Sequence, residues 1–229
     1  MTPLSALPNF DPRQVPVVGV DSHLAAVQPE RLTAQALRAR FATPPQWTPE
    51  VLAEKRFSDR KIAHASVLVP IVQREQPMVL LTERTHHLST HSGQIAFPGG
   101  KADEDDEDAA ATALREAQEE VGLAPQHVEL LGTLPVYVTG SAFIITPVVA
   151  LVHSGFDLTP NPHEVADVFE VPLAFLMDPS RHQRHVLEWE SQRREWFSMP
   201  YQAAADEPER FIWGATAGML RNFYRFLVA

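Results

Sequence analysis

The stretch Asp105 to Val121 carries the strongest helical pattern in the chain, and one side of it is acidic. At 100° per residue, with Glu116 as reference, Glu120 falls about 40° to one side and Glu119 about 60° to the other. Three carboxylates therefore share a face. Ala110, Leu114, Ala117 and Val121 gather on another face, which needs an apolar surface to cover it. Ala109, Thr112 and Ala113 fall on the acidic side, where their small size predicts room for a ligand. Gly122 stands where a C-cap glycine belongs. The double glycine Gly99-Gly100 precedes the helix and lets backbone come close to whatever the acids bind.

The flanks supply the covering surface. Ala65 to Val72 and Met78 to Thr82 read as a hairpin, and Gln94 to Phe97 as a short strand. Val128 to Val138, Ile144 to Val152 and Val165 to Pro172 read as further strands, with a brief helix from Ala174 to Met177. His185 to Trp189 and Glu195 to Met199 predict a second hairpin. Phe211 to Arg225 predicts a closing helix, with Thr216, Leu220, Phe223, Tyr224 and Leu227 inward. Strands, helix, strands, helix implies a mixed α/β class, a mixed sheet between helices rather than a doubly wound parallel fold. Residues 1 to 60 read as an N-terminal arm with short helices, at 30 to 41 and 51 to 57. Residues 61 to 229 read as the main domain.

Charge narrows the function. The net charge is −10, from 19 basic and 29 acidic residues, with no basic stripe, so a nucleic-acid partner is not expected. An anionic substrate would need positive charge from elsewhere, and a divalent cation among the helix acids supplies it. Mg²⁺ fits, since it takes oxygen ligands, keeps waters and bridges to phosphates. Mn²⁺ can substitute. The absence of cysteine excludes thiol catalysis, iron–sulfur clusters and a disulfide framework. No apolar run is long enough to span a membrane and no secretory signal is visible, so a cytoplasmic protein is expected.

Arg115-Glu116-Ala117-Gln118-Glu119-Glu120-Val121-Gly122-Leu123 resembles the second half of the Nudix hydrolase signature. The first half departs. Five residues after Gly100 comes Asp106, whereas Glu107 has the right distance to Arg115, so the upstream acid is either of the two. Leu80-Leu81-Thr82-Glu83-Arg84 and Gly93-Gln94-Ile95-Ala96-Phe97-Pro98-Gly99-Gly100 resemble the coenzyme A pyrophosphatase subgroup. Thr85 stands where Ser or Ala is usual, and Ser89 where Arg is frequent.

The resemblance implies a Nudix α/β/α sandwich with a mixed central sheet. It also implies Mg²⁺-dependent hydrolysis of coenzyme A and its thioesters to 4′-phosphopantetheine, or its acyl form, and adenosine 3′,5′-bisphosphate. Glu116 and Glu120 are the expected metal ligands, with the Gly100 carbonyl assisting. Arg115 is expected to orient Glu119 or Glu116, and the general base is Glu119 or Glu164. Arg84, His91, Gln94, Phe97 and Gly99 are the expected substrate contacts, with Arg84 on a phosphate, the remote 3′-phosphate by the charge argument. A pyrophosphatase for ADP-ribose or NADH, and a nucleotide-sensing module without catalysis, are the alternatives. Oligomeric state, a homodimer included, is left open. His86, His87 and His91 read as loop histidines rather than a zinc site, and Trp189, Trp196 and Trp213 as core.

Overall fold

A computed structural model of the chain describes residues 11–56, 61–85, 93–189 and 192–229. The elements, in order, are β1 (Val17–Val20), α1 (Ala34–Ala42), β2 (Ala63–Val72), β3 (Met78–Arg84), β4 (Ile95–Ala96) and β5 (Gly99–Lys101). Then come α2 (Ala109–Val121), β6 (Val128–Thr133), β7 (Tyr137–Val138), β8 (Phe143–Val152), β9 (Val165–Pro172) and α3 (Leu173–Leu176). β10 (Gln183–Trp189), β11 (Gln192–Tyr201), β12 (Arg210–Trp213) and α4 (Gly214–Val228) close the chain.

The larger sheet runs β4-β3-β2-β8-β6, with β5 beside β2, β7 beside β8 and β9 beside β3. It is mixed because β2 and β8 pair in parallel while their other neighbours are antiparallel. Period-2 alternation gives it two apolar faces. Leu68, Val72, Leu80, Val148, Ala150 and Val152 point to one side and meet Ala113, Ala117 and Val121 of α2. Val67, Val69, Ile71, Val79, Leu81, Val149 and Leu151 point to the other and meet Leu220, Phe223 and Leu227 of α4. The smaller, antiparallel sheet runs β1-β10-β11-β12.

Several elements differ from the sequence reading. The expected strand 128 to 138 is two, β6 and β7, because Leu134-Pro135 interrupts it; proline cannot donate to a ladder. The closing helix begins only at Gly214, since Arg210 to Trp213 extends to pair with β11. No helix forms over residues 51–56. The unanticipated β1 pairs with β10. Val27, Leu32 and Leu37 are buried in the same cluster as α4. Arg221 of α4, almost fully buried, lies 2.8 Å from Asp21 and 2.7 Å from Glu50. Residues read as an arm are therefore tied to the rest by both burial and charge.

Candidate active site

α2 starts at Ala109, later than the pattern predicted. Asp108 is its N-cap, its carboxylate accepting from the Ala111 amide at 2.8 Å. Gly122 ends it in the left-handed conformation, φ 73°, and donates to the carbonyls of Ala117 and Gln118. The helix is turned about its axis relative to the sequence reading. Thr112 and Ala113, expected to line a ligand space, are buried against the sheet, while Ala110 and Leu114 are only half-buried. This rotation carries Glu120 inward, to 4% exposure, and leaves Glu119 facing solvent.

Glu120 meets two groups from the segment before the helix. The Gly99 amide donates to its Oε2 at 3.1 Å, and Arg84 Nη1 lies 3.5 Å from its Oε1. Burial pushes the Glu120 carboxyl up to about 7, and the charges of Glu116 and Glu164 add to the rise; the Gly99 amide and Arg84 oppose it. Burial also pushes Glu116 up, with Glu119 and Glu164 adding, against Arg115. The double glycine runs as β5 beside β2, Gly99 opposite Val67 and Gly100 opposite Ser66. A side chain at Gly99 would strike the β2 backbone, and one at Gly100 would strike the Glu116 carboxylate. Glycine is thus required by close approach, which brings backbone against the acids.

Arg115 organises the outer carboxylates. Its Nη1 donates to Glu116 at 2.9 Å and to Glu119 at 3.1 Å, so it orients both. Its Nε and Nη2 grip Asp106 at 3.0 and 2.9 Å, and Nη2 also reaches the Lys101 carbonyl at 3.1 Å. Of the two upstream acids, Asp106 is the one that Arg115 grips. Arg115 holds its carboxyl well below the usual range.

Glu164 arrives from a loop fastened at both ends. The Asn161 amide donates to the Glu120 carbonyl at 2.8 Å, and the Thr85 amide to the Glu164 carbonyl at 3.0 Å. Asn161 Nδ2 donates to Glu164 Oε1 at 3.3 Å. The sequence reading gave no site role to Thr85 or Asn161; the signal was that Thr85 follows Arg84 and Asn161 lies three residues before Glu164. Gln94 continues the strand edge, its carbonyl accepting from the Arg84 amide at 3.0 Å. Phe97, expected in the substrate wall, is 2% exposed and packed in the core on the α4 side, so it offers no face to a ligand. His91, like His86 and His87, lies outside the described residues. Trp196 and Trp213 are half-buried and pack edge to face at 6.2 Å.

Do these residues fit a divalent cation? Two neighbouring carboxyls, Glu116 and Glu120, are pushed up by burial and by the charge of nearby glutamates, Glu164 acting on both, an electrostatic deficit that a cation relieves. The donors are all oxygens, which suits a hard ion. Among the described residues, no three acidic or histidine side chains converge into a closed cage.

A model of the NUDIX domain matches residues 62–207. The uncharacterized Nudix hydrolase NudL of Salmonella paratyphi B is 40% identical over 194 residues, covering 84% of this chain and 93% of its own. Its counterpart in Salmonella typhimurium is equally similar, 40% over 194 residues. Among solved structures, a C. elegans Ap4A hydrolase complex is similar at 19% identity over 48% of this chain and 80% of its own, with a TM-score of 0.42. The NUDIX domain of Shewanella oneidensis NrtR, complexed with ADP ribose, is 24% identical over 50% of this chain and 75% of its own, with a TM-score of 0.37.

Proposed function

The chain belongs to the Nudix hydrolases, enzymes that act on pyrophosphate bonds, and on that premise we propose that it hydrolyses coenzyme A and its thioesters. One observation carries the reading. The segment that resembles the coenzyme A pyrophosphatases, Leu80 to Gly100, supplies both partners of Glu120: the Gly99 amide and the Arg84 guanidinium. Substrate choice and catalytic carboxylate are thereby joined at one residue. The products would be 4′-phosphopantetheine, or its acyl form, and adenosine 3′,5′-bisphosphate.

Nudix hydrolases use divalent cations, generally Mg²⁺. Glu116 and Glu120 would hold the ion here, with the Gly100 carbonyl beside them. When bound, it supplies positive charge that screens the diphosphate. The remaining roles fall to this chain's own groups. Arg84 sits beside Glu120, so its phosphate is the diphosphate near the acids rather than the remote 3′-phosphate that charge alone suggested. Arg115, braced by Asp106, keeps Glu116 from swinging out of reach. Glu119 is held by Arg115 and faces solvent, which suits an outer acid. Glu164 is half-buried and its charge acts on both Glu116 and Glu120, which suits the base that takes a proton from the attacking water.

The test is turnover with Mg²⁺ on coenzyme A, an acyl-coenzyme A, ADP-ribose and NADH. A kcat/KM for coenzyme A or its thioester at least about tenfold above the others is expected. A clear preference for ADP-ribose or NADH would overturn the substrate assignment and leave the reaction class standing.

A further inference from the structure

We propose that Thr85 and Asn161 are positioning residues that hold the Glu164 loop against the reacting centre. The inference rests on the reading of Glu164 as the base. The loop from Asn161 to Glu164 lies between β8 and β9, beside the end of α2, and has no helix or strand of its own to set its place. Three separate anchors do so instead. The Asn161 amide donates to the carbonyl of Glu120, so the loop is pinned to the same residue whose carboxylate lies in the site. Asn161 then works inward: its Oδ1 accepts from the His163 amide at 3.1 Å, and its Nδ2 donates to Glu164 Oε1 at 3.3 Å. Its carbonyl accepts from the amides of Glu164 at 3.0 Å and Val165 at 2.9 Å.

The third anchor is Thr85, 6% exposed, immediately after Arg84. Its amide donates to the Glu164 carbonyl at 3.0 Å, and its hydroxyl to the His163 carbonyl at 3.1 Å. The β3–β9 register slips beside it: Glu83 faces Asp167, but Arg84 faces Val165. Such an irregularity bends a strand and re-aims a side chain. Here it turns the end of β9 so that Glu164 meets Thr85. One short stretch, Arg84-Thr85, therefore sets the distance from the base to Glu120, through a guanidinium on one side and a hydroxyl on the other.

The test uses the full chain with Mg²⁺ and the better substrate of coenzyme A and ADP-ribose. The variants are Glu164→Gln, Thr85→Val, Thr85→Ser, Asn161→Ala and the double variant Asn161→Ala/Glu164→Gln. Misplacing a catalytic group by about an ångström costs up to ~100-fold. Thr85→Val and Asn161→Ala are each expected to lower kcat at least about tenfold, with KM within about twofold. Thr85→Ser, which keeps the donor, recovers most of the loss. Asn161→Ala adds nothing to Glu164→Gln, because a positioning residue has no work once the base is gone. A merely structural role would give additive losses in the double variant. Additive losses, or a Thr85→Val enzyme with unchanged kcat, overturn the proposal while a large Glu164→Gln defect leaves the base assignment standing. An unchanged kcat in Glu164→Gln removes the base assignment, and this proposal with it.

Discussion

Replacing Glu120 by Gln should make the metal-free protein more stable, and chiefly at neutral to alkaline pH. Folding moves this carboxyl from 4.5 to about 7, chiefly by burial. At ~1.4 kcal/mol per pH unit, ionising it in the folded state costs about 3 kcal/mol. The sign follows from linkage. Below about pH 4.5 both folded and unfolded chains carry the proton, and nothing is lost. Between there and pH 7 the unfolded chain ionises first, so stability falls as pH rises, and above pH 7 the whole cost is present. Gln cannot ionise and keeps an oxygen for the Gly99 amide, but it deprives Arg84 of its carboxylate. The raised carboxyl already includes the opposing pull of Arg84, so that pair is not subtracted again and the gain is about 3 kcal/mol. For a chain of 229 residues that raises Tm by roughly 6–12 °C. The assay is calorimetric unfolding of both proteins in EDTA at pH 5 and pH 8. A gain at pH 8 that shrinks to about a quarter of its size at pH 5 is expected. A variant no more stable at pH 8, or equally stabilised at both pH values, would refute the reasoning. Stabilisation should coincide with loss of turnover by orders of magnitude, since the group that burdens the fold is the one proposed to bind the metal.

Excess EDTA is expected to abolish hydrolysis, and added Mg²⁺ or Mn²⁺ to restore it; full turnover in chelator would sink the metal reading. Arg84→Ala should raise KM for coenzyme A and dephospho-coenzyme A alike, by about tenfold, as one charge-assisted contact to a diphosphate implies. An effect confined to coenzyme A would return Arg84 to the 3′-phosphate. Gly100→Ala should cut kcat at least about tenfold by displacing the Glu116 carboxylate, while circular dichroism stays native; unchanged kinetics would mean Glu116 can move without consequence. Arg221→Ala leaves Asp21 and Glu50 to the more exposed Arg184 and should cost about 2 kcal/mol in denaturant unfolding; a cost under about 1 kcal/mol would show that Arg184 and the apolar residues hold the N-terminal segment without it.

The chain by itself determined what depends on short-range spacing. The carboxylate face of α2, its C-cap at Gly122, the hairpin of β2 and β3 and the inward face of α4 all follow from periods of 3.6 and 2 and from glycine's tolerance of positive φ. Those are properties of neighbours along the chain, so they are legible there. The rotation of α2 was not, because which side of a helix is buried is decided by the surface it meets. Leu68, Leu80 and Val148 took Ala113 and Ala117, and so drew Glu120 inward and left Leu114 half-covered. The choice between Asp106 and Glu107 depended on where Arg115 reached across the turn before the helix. Arg84, Gly99, Glu120 and the Glu164 loop come from β3, β5, α2 and the approach to β9, and only pairing across the sheet brings them within contact. The burial that raises the Glu120 carboxyl likewise exists only once the sheet and helix have closed over it.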